Sequence, residues 1–426
     1  MGNHVYDYIM ANNTEAHSRV GAELISRTFE SLQYPNYRLW FIGQLASLAG
    51  SWMQSTAQGY LVYDLTHSTA YLGYLSFASG LPTWIFTLYG GVITDRIPRR
   101  TMIMVTQVLL LLQAAVLALL VFTGRVTPIA LLVLSFVYGL INSFDLPARQ
   151  AFVSELVERK SLTNAIALNG TMFNAAIIFG PAIGGLIYAW GGPGWCFLIN
   201  AVSFLCVLIA LAFMRIAPLP PVAITASVWT GIKDGLQFVR NHQSVRVLIT
   251  GIAIISAFGF SLVTLLPAWA VDVLGGDVRT NGLLLSARGV GALGGALTLA
   301  AIGYRNIRGK LWALGSFLLP VTMLVFALLP NTVLSFIVLI AYGWALMMLT
   351  NNTNALIQSH IPDHLRGRVM SIYSLIFVGS TPLGSLLAGW VADSLGVPAA
   401  IIFSAAVLLL FGVFIWLRQP HIRQLE

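Results

Sequence analysis

Charge is what this chain has least of. Only 9% of its 426 residues are Asp, Glu, Lys or Arg, against about 25% in a typical soluble domain. A water-facing surface is not built from so few charges, and 57% hydrophobic residues exceed what one folded core can bury. Cysteine is nearly absent as well. Cys196 and Cys206 fall in one apolar run, roughly 15 Å apart along a helix axis, too far to pair. Neither a disulfide framework nor a cysteine metal site is available. None of the seven histidines lies in the middle of an apolar run, which argues against intramembrane haem ligation and Ser/His proteolysis; no paired aspartates stand there instead. A glycine loop for nucleotide phosphates is missing, so direct ATP drive is disfavoured. His360 and His364 are four apart, but Pro362 separates them and no third ligand is near, so no metal and no cofactor are expected.

What the chain does have is long hydrophobic runs. A bilayer crossing takes about 20 apolar residues, and such runs recur at 38–62, 70–93, 101–123, 127–148, 163–190, 195–215, 246–271, 281–303, 311–329, 332–358, 369–392 and 397–417. Their length and their lack of alternation predict helices rather than barrel strands. The expected class is an all-α polytopic membrane protein with 12 transmembrane helices. Residues 1–35 are polar without a basic-then-apolar leader, and read as a cytoplasmic N-terminal tail. Placing them inside puts every Lys and Arg on the cytoplasmic face except Arg125 and Arg279, which fall outside, and Arg288, within run 8. The opposite orientation inverts the positive-inside bias. Both termini, including the tail 418–426, are therefore expected in the cytoplasm. The net charge of +8 then faces anionic lipid headgroups and requires no nucleic acid.

Residues 216–245 break the hydrophobic rhythm with three prolines followed by a basic amphipathic stretch. They are read as a central cytoplasmic linker between an N-terminal six-helix bundle, 36–215, and a C-terminal one, 246–417. An internal repeat supports the division. A shift of 209 residues lays Gly73 on Gly282, Ala78 on Ala287 and Gly80 on Gly289; it also lays Arg96 on Arg305, Arg99 on Arg308, and Asn142, Asp145 and Arg149 on Asn351, Asn354 and Gln358. A shift of 208 lays "VYDL" (62–65) on "AVDV" (270–273). Two six-helix halves repeated in the same sense are the arrangement expected of transporters built from parallel repeats, in which a substrate site lies between the halves near the midplane.

Run 1 carries Gln44, Ser47, Ser51, Gln54, Ser55 and Gln58 at helical spacing, one polar stripe on an apolar helix. Lipid penalises that face, so it turns inward, either lining a cavity or bonding to neighbouring helices. Arg288 is the one basic residue well inside a run. It is read as a cargo contact or a partner of a titrating acid, against snorkelling or pairing with Asp272 or Asp277. Asn142, Asp145, Asn351, Asn354 and Gln358 form facing stripes in runs 4 and 10 that can bond across the inner ends of the halves. Asn169 and Asn174 in run 5 are weaker candidates for cavity lining. Gly180, Gly184 and Gly185 beside Pro181, with Gly289, Gly291, Gly294 and Gly295 in run 8, make small-residue faces suited to helices sliding between halves. Asp145 and Arg149, one turn apart, can pair directly.

The stretch "GGVITDRIPRR" (90–100) concentrates charge. Gly91, Asp95, Arg96, Arg99 and Arg100 resemble the Gly-x-x-x-Asp-Arg-x-x-Arg-Arg loop signature of the major facilitator superfamily, with Pro98 where the family often has glycine. "GPAIGG" (180–185) is similar to the core of that superfamily's antiporter motif, although Ala167 and Ala176 stand where its upstream glycines belong. "NYRLWFIGQLASLAGSWMQ", "DLPARQAFVSELV", "NAIALN" and "LRGRVMSIYSLIFVGSTPLGSLLAG" resemble the bacterial subgroup of enterobactin and macrolide-type exporters. The likeness spans roughly 34–415. It implies the major facilitator fold, a bacterial inner-membrane location and function as a monomer. It implies that Asp95 latches the halves at the N-terminus of helix 11, where a helix dipole favours a carboxylate, while Asp145 holds the motif's arginines. The expected activity is efflux, by alternating access, of an amphiphilic drug-like or siderophore-like small molecule, in exchange for protons with Asp145 as coupling candidate. A lysolipid mover or uniporter of the same fold, a membrane-embedded enzyme and a transport-dead sensor are the alternatives.

Overall fold

The computed structural model describes residues 28–94, 97–215, 228–302 and 307–425. Six long helices come first: α1 Pro35–Thr66, α2 Thr69–Thr94, α3 Arg99–Phe122, α4 Pro128–Leu156, α5 Leu162–Gly191 and α6 Pro193–Phe213. A shorter helix, α7 Val228–Asn241, lies in the expected linker. Six more follow: α8 Gln243–Val273, α9 Val278–Ile302, α10 Arg308–Leu328, α11 Thr332–Ser359, α12 Asp363–Leu395 and α13 Val397–Arg418. Ten of these, α3–α6 and α8–α13, are long and apolar enough to cross a membrane. The chain is a multi-pass membrane protein. Helices α1 and α2 match the ten in length but carry more serine, glycine and tyrosine, and α1 three glutamines besides.

Local signals set the helix ends. Thr127 caps α4 by accepting from the Ala130 N–H at 3.2 Å, with Pro128 in the first turn. Asn331 does the same for α11 toward Leu334 at 3.1 Å. A capping side chain satisfies one of the N–H groups a helix start leaves free. The α5–α6 and α12–α13 turns are each a single glycine, Gly192 (φ 85°) and Gly396 (φ 88°), in a region that only glycine enters without strain. Proline follows at Pro193 and Pro398. The two turns occupy equivalent places in the two helix series.

The bundle has two unlike ends. One, the basic end, carries Arg99, Arg100, Arg159, Lys160, Lys310 and Arg366. The other, the far end, carries Asp64, Asp272, Asp277 and Asp393. Within the first series α1 packs on α5 and α6, α2 on α4, and α3 on α4 and α6. In the second, α9 packs on α11, and α10 on α11 and α13. The series meet along α2–α12 and α5–α9.

Those two crossings explain the repeated glycines. A side chain at Gly73 would meet the Ser385 carbonyl at 2.9 Å and Leu386 backbone at 3.1 Å, and one at Gly80 would collide with the Pro382 ring. Gly282 abuts the Pro181 carbonyl, and Gly289 the Ile177 carbonyl at 3.0 Å. The repeat thus marks where helices of opposite series approach too closely for a side chain. The other expected sliding glycines divide differently. Gly180 and Gly184 face Trp52 and Met53 of α1, and only Gly185 reaches α9, with the Val278 carbonyl 2.8 Å from where its Cβ would sit. Gly291 and Gly295 press on the α11 backbone at Ile340 and Trp344, and Gly294 faces the Trp344 ring. A helix presents small residues on several faces, and spacing alone does not say which one meets the other half.

Helix α8 is interrupted by π-helical turns at Ile255–Gly259 and Trp269–Val273. Wider turns leave carbonyls without their usual partner, and Tyr342 of α11 donates its hydroxyl to the Gly259 carbonyl at 2.5 Å. Helix α7 rides on the start of α12, where Arg368 pairs with Asp234 at 2.7 Å and Gly235 sits close to the Arg368 carbonyl. After α13 the chain turns back to α10, and the Leu425 carbonyl accepts from the Gly309 N–H at 3.0 Å.

Candidate functional site

A polar cavity lies between the two series. One part, about 230 Å³, is bordered by Gln54 and Gln58 of α1, Ser76 of α2, Ser135 of α4, Thr264 of α8 and Asn281 of α9. It shares Ser51, Ser55 and Tyr138 with a second part of about 460 Å³ that reaches Asn142 and Arg149 along α4. Hydroxyls and amides supply nearly all of its polarity. Among the described residues, no carboxylate lines either part.

The α1 stripe splits by depth. Ser51, Gln54, Ser55 and Gln58 line the cavity. Gln44 and Ser47, expected there too, do not: both are buried, and Gln44 accepts from the Arg149 guanidinium at 2.6 Å. In its basic-end half the helix is covered by its neighbours, Arg149 of α4 among them, so its stripe meets protein instead of open space. Gln54 also serves packing, donating to Gln113 of α3 at 3.1 Å and accepting from Asn200 of α6 at 2.8 Å. Gln58 donates to Ser135 Oγ at 2.6 Å and to the Leu131 carbonyl at 3.2 Å. Replacing Gln54 with leucine leaves two buried amides short of a partner, at about 1–3 kcal/mol for such a group. The expected result is a lowered unfolding temperature in detergent, whereas Ser55→Ala, at an exposed position of the same helix, leaves it unchanged.

Asp145 is fully buried and central to a charged network. Its Oδ1 accepts from Thr106 at 2.6 Å and Gln107 at 3.0 Å, both on α3, and Oδ2 pairs with the Arg149 guanidinium one turn on. The Asp145–Arg149 pair matches expectation. Asp145 does not hold the described arginines of the loop motif. Arg99 pairs with Glu155 at 2.8 Å, and Arg100 donates to the Leu211 carbonyl at 2.6 Å, near the open end of α6. A helix C-terminus leaves carbonyls free for a cation, and Glu155 is the nearer acid for Arg99. Asp95 and Arg96 lie outside the described residues, as does Arg305; Gly91 lies in the last turn of α2.

Arg288 is 7% exposed and its Nε has no partner. It borders neither part of the cavity, and neither expected acid reaches it. Asp272 accepts from Tyr63, while Asp277 caps α9 through the Arg279 and Thr280 N–H groups at 3.0 and 3.1 Å. The polar stripes of α4 and α11 do not bond to each other. Asn142 donates to the Tyr138 carbonyl and Gln358 to Asn354, each within its own helix. Asn174 likewise bonds to the Gly170 carbonyl of α5, and neither it nor Asn169 borders the cavity.

Among the described residues, every hydrogen bond joining the two series lies at or near the far end. Tyr63 donates to Asp272, Ser68 to Asp393 at 2.7 Å, Thr69 to the Gly389 carbonyl at 3.0 Å, and Trp390 to the Tyr74 hydroxyl at 3.0 Å. The cavity is sealed there. Asn281, just inside the seal, is fully buried with neither amide atom partnered. Sequence reasoning missed Asn281, Ser76, Ser79 and Ser135 as lining residues. The Ser76–Ser79 spacing on α2 was the available signal; an asparagine in the first turn of a run reads as an ordinary helix start.

The sequence matches the family model described as transmembrane secretion effector over residues 26–425. It is 25% identical to the staphyloferrin A transporter of Staphylococcus aureus over 363 residues, covering 84% of this chain and 90% of that one. It is 28% identical to the multidrug efflux pump Tap of Mycolicibacterium fortuitum, covering 90% and 95%, and 24% identical to the enterobactin exporter EntS of Shigella flexneri, covering 92% and 93%. The fold is similar to that of a variant of the nucleoside transporter NupG (TM-score 0.76, 13% identity, 89% and 98% covered). It is also similar to a bacterial homologue of the lysosomal transporter Spinster in an inward-facing, unoccupied conformation (TM-score 0.73, 14% identity, 92% and 98% covered). The chain therefore belongs to the transmembrane secretion effector family: it is a membrane transporter of the major facilitator superfamily, with exporters among its relatives, and not an enzyme.

Proposed function

We propose that the protein is a secondary active exporter of the bacterial inner membrane that moves an amphiphilic, drug-like or siderophore-like small molecule outward by alternating access. The observation that carries this reading is the cavity between the helix series, closed at the far end and reaching Arg149 in the direction of the basic end. Positive-inside asymmetry makes the basic end cytoplasmic, so the cavity loads from the cell. In this reading α1–α6 and α8–α13 are twelve spans in two bodies, 36–215 and 246–417, that rock about the α2–α12 and α5–α9 crossings, joined by the linker 216–245. Both termini are cytoplasmic and one chain is sufficient.

The lining favours neutral or anionic cargo rich in oxygen. It offers hydroxyls, the unpartnered Asn281 amide and Arg149, and among the described residues no carboxylate to compensate a bound cation. Asp95, with Gly91, Arg96, Arg99 and Arg100, forms the cytoplasmic latch of the opposite state. Asp145 takes the exchanged proton, since neutralising it releases Arg149. Flux in proteoliposomes with an imposed pH gradient tests this reading, using catecholate siderophores, macrolides, cationic dyes and lysolipids. Gradient-driven movement of a siderophore, in preference to the cationic macrolides and dyes, is expected; movement of every substrate independent of the gradient overturns proton exchange, and movement of lysolipids alone overturns the cargo class.

A further inference from the structure

A second concavity lies on α10 and α11 and shares no residue with the transport cavity. This groove, about 450 Å³, is formed by Leu311, Leu314, Leu318 and Val321 of α10 and by Trp344 and Met348 of α11. Its walls are apolar. The one polar group among them, the Trp344 indole N–H, is already given to Thr298 at 3.0 Å. A cargo with polar groups would forfeit its hydrogen bonds to water here and regain none. Leu314 and Val321 are 58% and 46% exposed, on helices that cross the membrane, so the groove opens to lipid.

Its dimensions and its one neighbouring charge identify an occupant. From Leu311 to Val321 is ten residues, roughly 15 Å of helix. That is half of a hydrocarbon core about 30 Å thick, the depth of one leaflet. Lys310, exposed and outside every described ion pair, precedes Leu314 by four residues, so it stands one turn toward the basic end on the same face. We propose that the groove is a binding site for one anionic phospholipid of the basic-end leaflet, with an acyl chain along Leu311–Val321 and the phosphate at Lys310. A zwitterionic lipid gains the chain contact alone; an anionic one adds an interaction with the lysine. The Trp344 backbone carbonyl lies close to Gly295 of α9, so an occupied groove braces the helix that crosses to the first series at Gly282.

Tryptophan quenching tests the site. The full-length protein is placed in phosphatidylcholine nanodiscs and titrated with phosphatidylglycerol bearing dibrominated acyl chains; the difference between wild type and Trp344→Phe isolates the groove signal. That signal is expected to saturate at a lipid fraction about five-fold lower than with dibrominated phosphatidylcholine. Lys310→Gln abolishes the difference and Lys310→Arg retains it. Equal quenching by both lipids in the wild type, or a preference surviving in Lys310→Gln, overturns the proposal in favour of unselective annular contact. Relief of quenching by excess macrolide or siderophore also overturns it, making the groove a cargo entrance.

Discussion

Replacing Gly282 with valine is expected to hold the far end open and to lower transport about ten-fold or more. At this position the new side chain meets backbone at two points one turn apart on α5, the Pro181 carbonyl and, at 3.2 Å, the Gly185 Cα. Backbone cannot rotate aside as a flexible side chain does, so α5 and α9 must separate. Overpacking of this kind costs about 1–3 kcal/mol, and the same amount between two conformations changes their ratio roughly 5- to 150-fold. The measurement is labelling of a cysteine introduced at Ser55, in a Cys206→Ser background, by a membrane-impermeant maleimide added from the far side. Labelling is slow in the parent and fast in Gly282→Val. Gly170→Val, where no atom lies within 4 Å, serves as the control. Unchanged labelling in Gly282→Val would show that the α5–α9 crossing does not close the far end.

Asp145→Asn is expected to have two separable effects. The first concerns stability. Arg149, its side chain 13% exposed, loses its counter-charge, and removing one partner of a buried pair costs about 3–5 kcal/mol. The unfolding temperature falls, and Arg149→Met added to Asp145→Asn recovers much of the loss because no charge is then left unpaired. The second effect concerns coupling. With Asp145 as the proton-exchanging group, the variant still moves cargo down a concentration gradient but no longer responds to an imposed pH gradient. The groups facing this carboxylate are Arg149, Thr106 and Gln107, with Tyr138 nearby; none of them is a second acid able to replace it. Pumping that keeps its pH dependence in a destabilised variant would reduce Asp145 to a structural role.

Features of this fold are legible in the sequence where the constraint behind them is local. The glycine repeat was legible because close backbone approach forbids any side chain, so Gly73, Gly80, Gly282 and Gly289 stand out at matched positions whatever surrounds them. The Asp145–Arg149 pair was legible because one helical turn separates its members. The α1 stripe was legible only as a face. Whether a glutamine on it lines space or bonds inward depends on residues far along the chain: Arg149 for Gln44, Gln113 and Asn200 for Gln54. The far-end seal was not legible. Tyr63, Ser68, Asp272 and Asp393 sit at helix ends, where polar residues usually meet water, and their pairing appears only once the two series are brought together.

The π-helical end of α8 gives this seal its one-sidedness. The two helix series correspond at a shift of 208 residues up to the "VDV" of α8 and at 209 from Gly282 onward, so the second carries one residue more at that point. The structure takes it up by widening: Leu274 and Gly276 donate to the carbonyls of Trp269 and Ala270, five and six residues back, whereas His67 after α1 keeps the ordinary four-residue bond to Tyr63. Under the earlier shift the counterpart of Tyr63 is Val271 and that of Asp272 is Asp64. The mirror bond, Asp64 to Val271, has no side-chain donor. Two halves descended from one pattern therefore share a single phenol–carboxylate clasp between them, and opening that side of the molecule breaks one such bond rather than a symmetric pair.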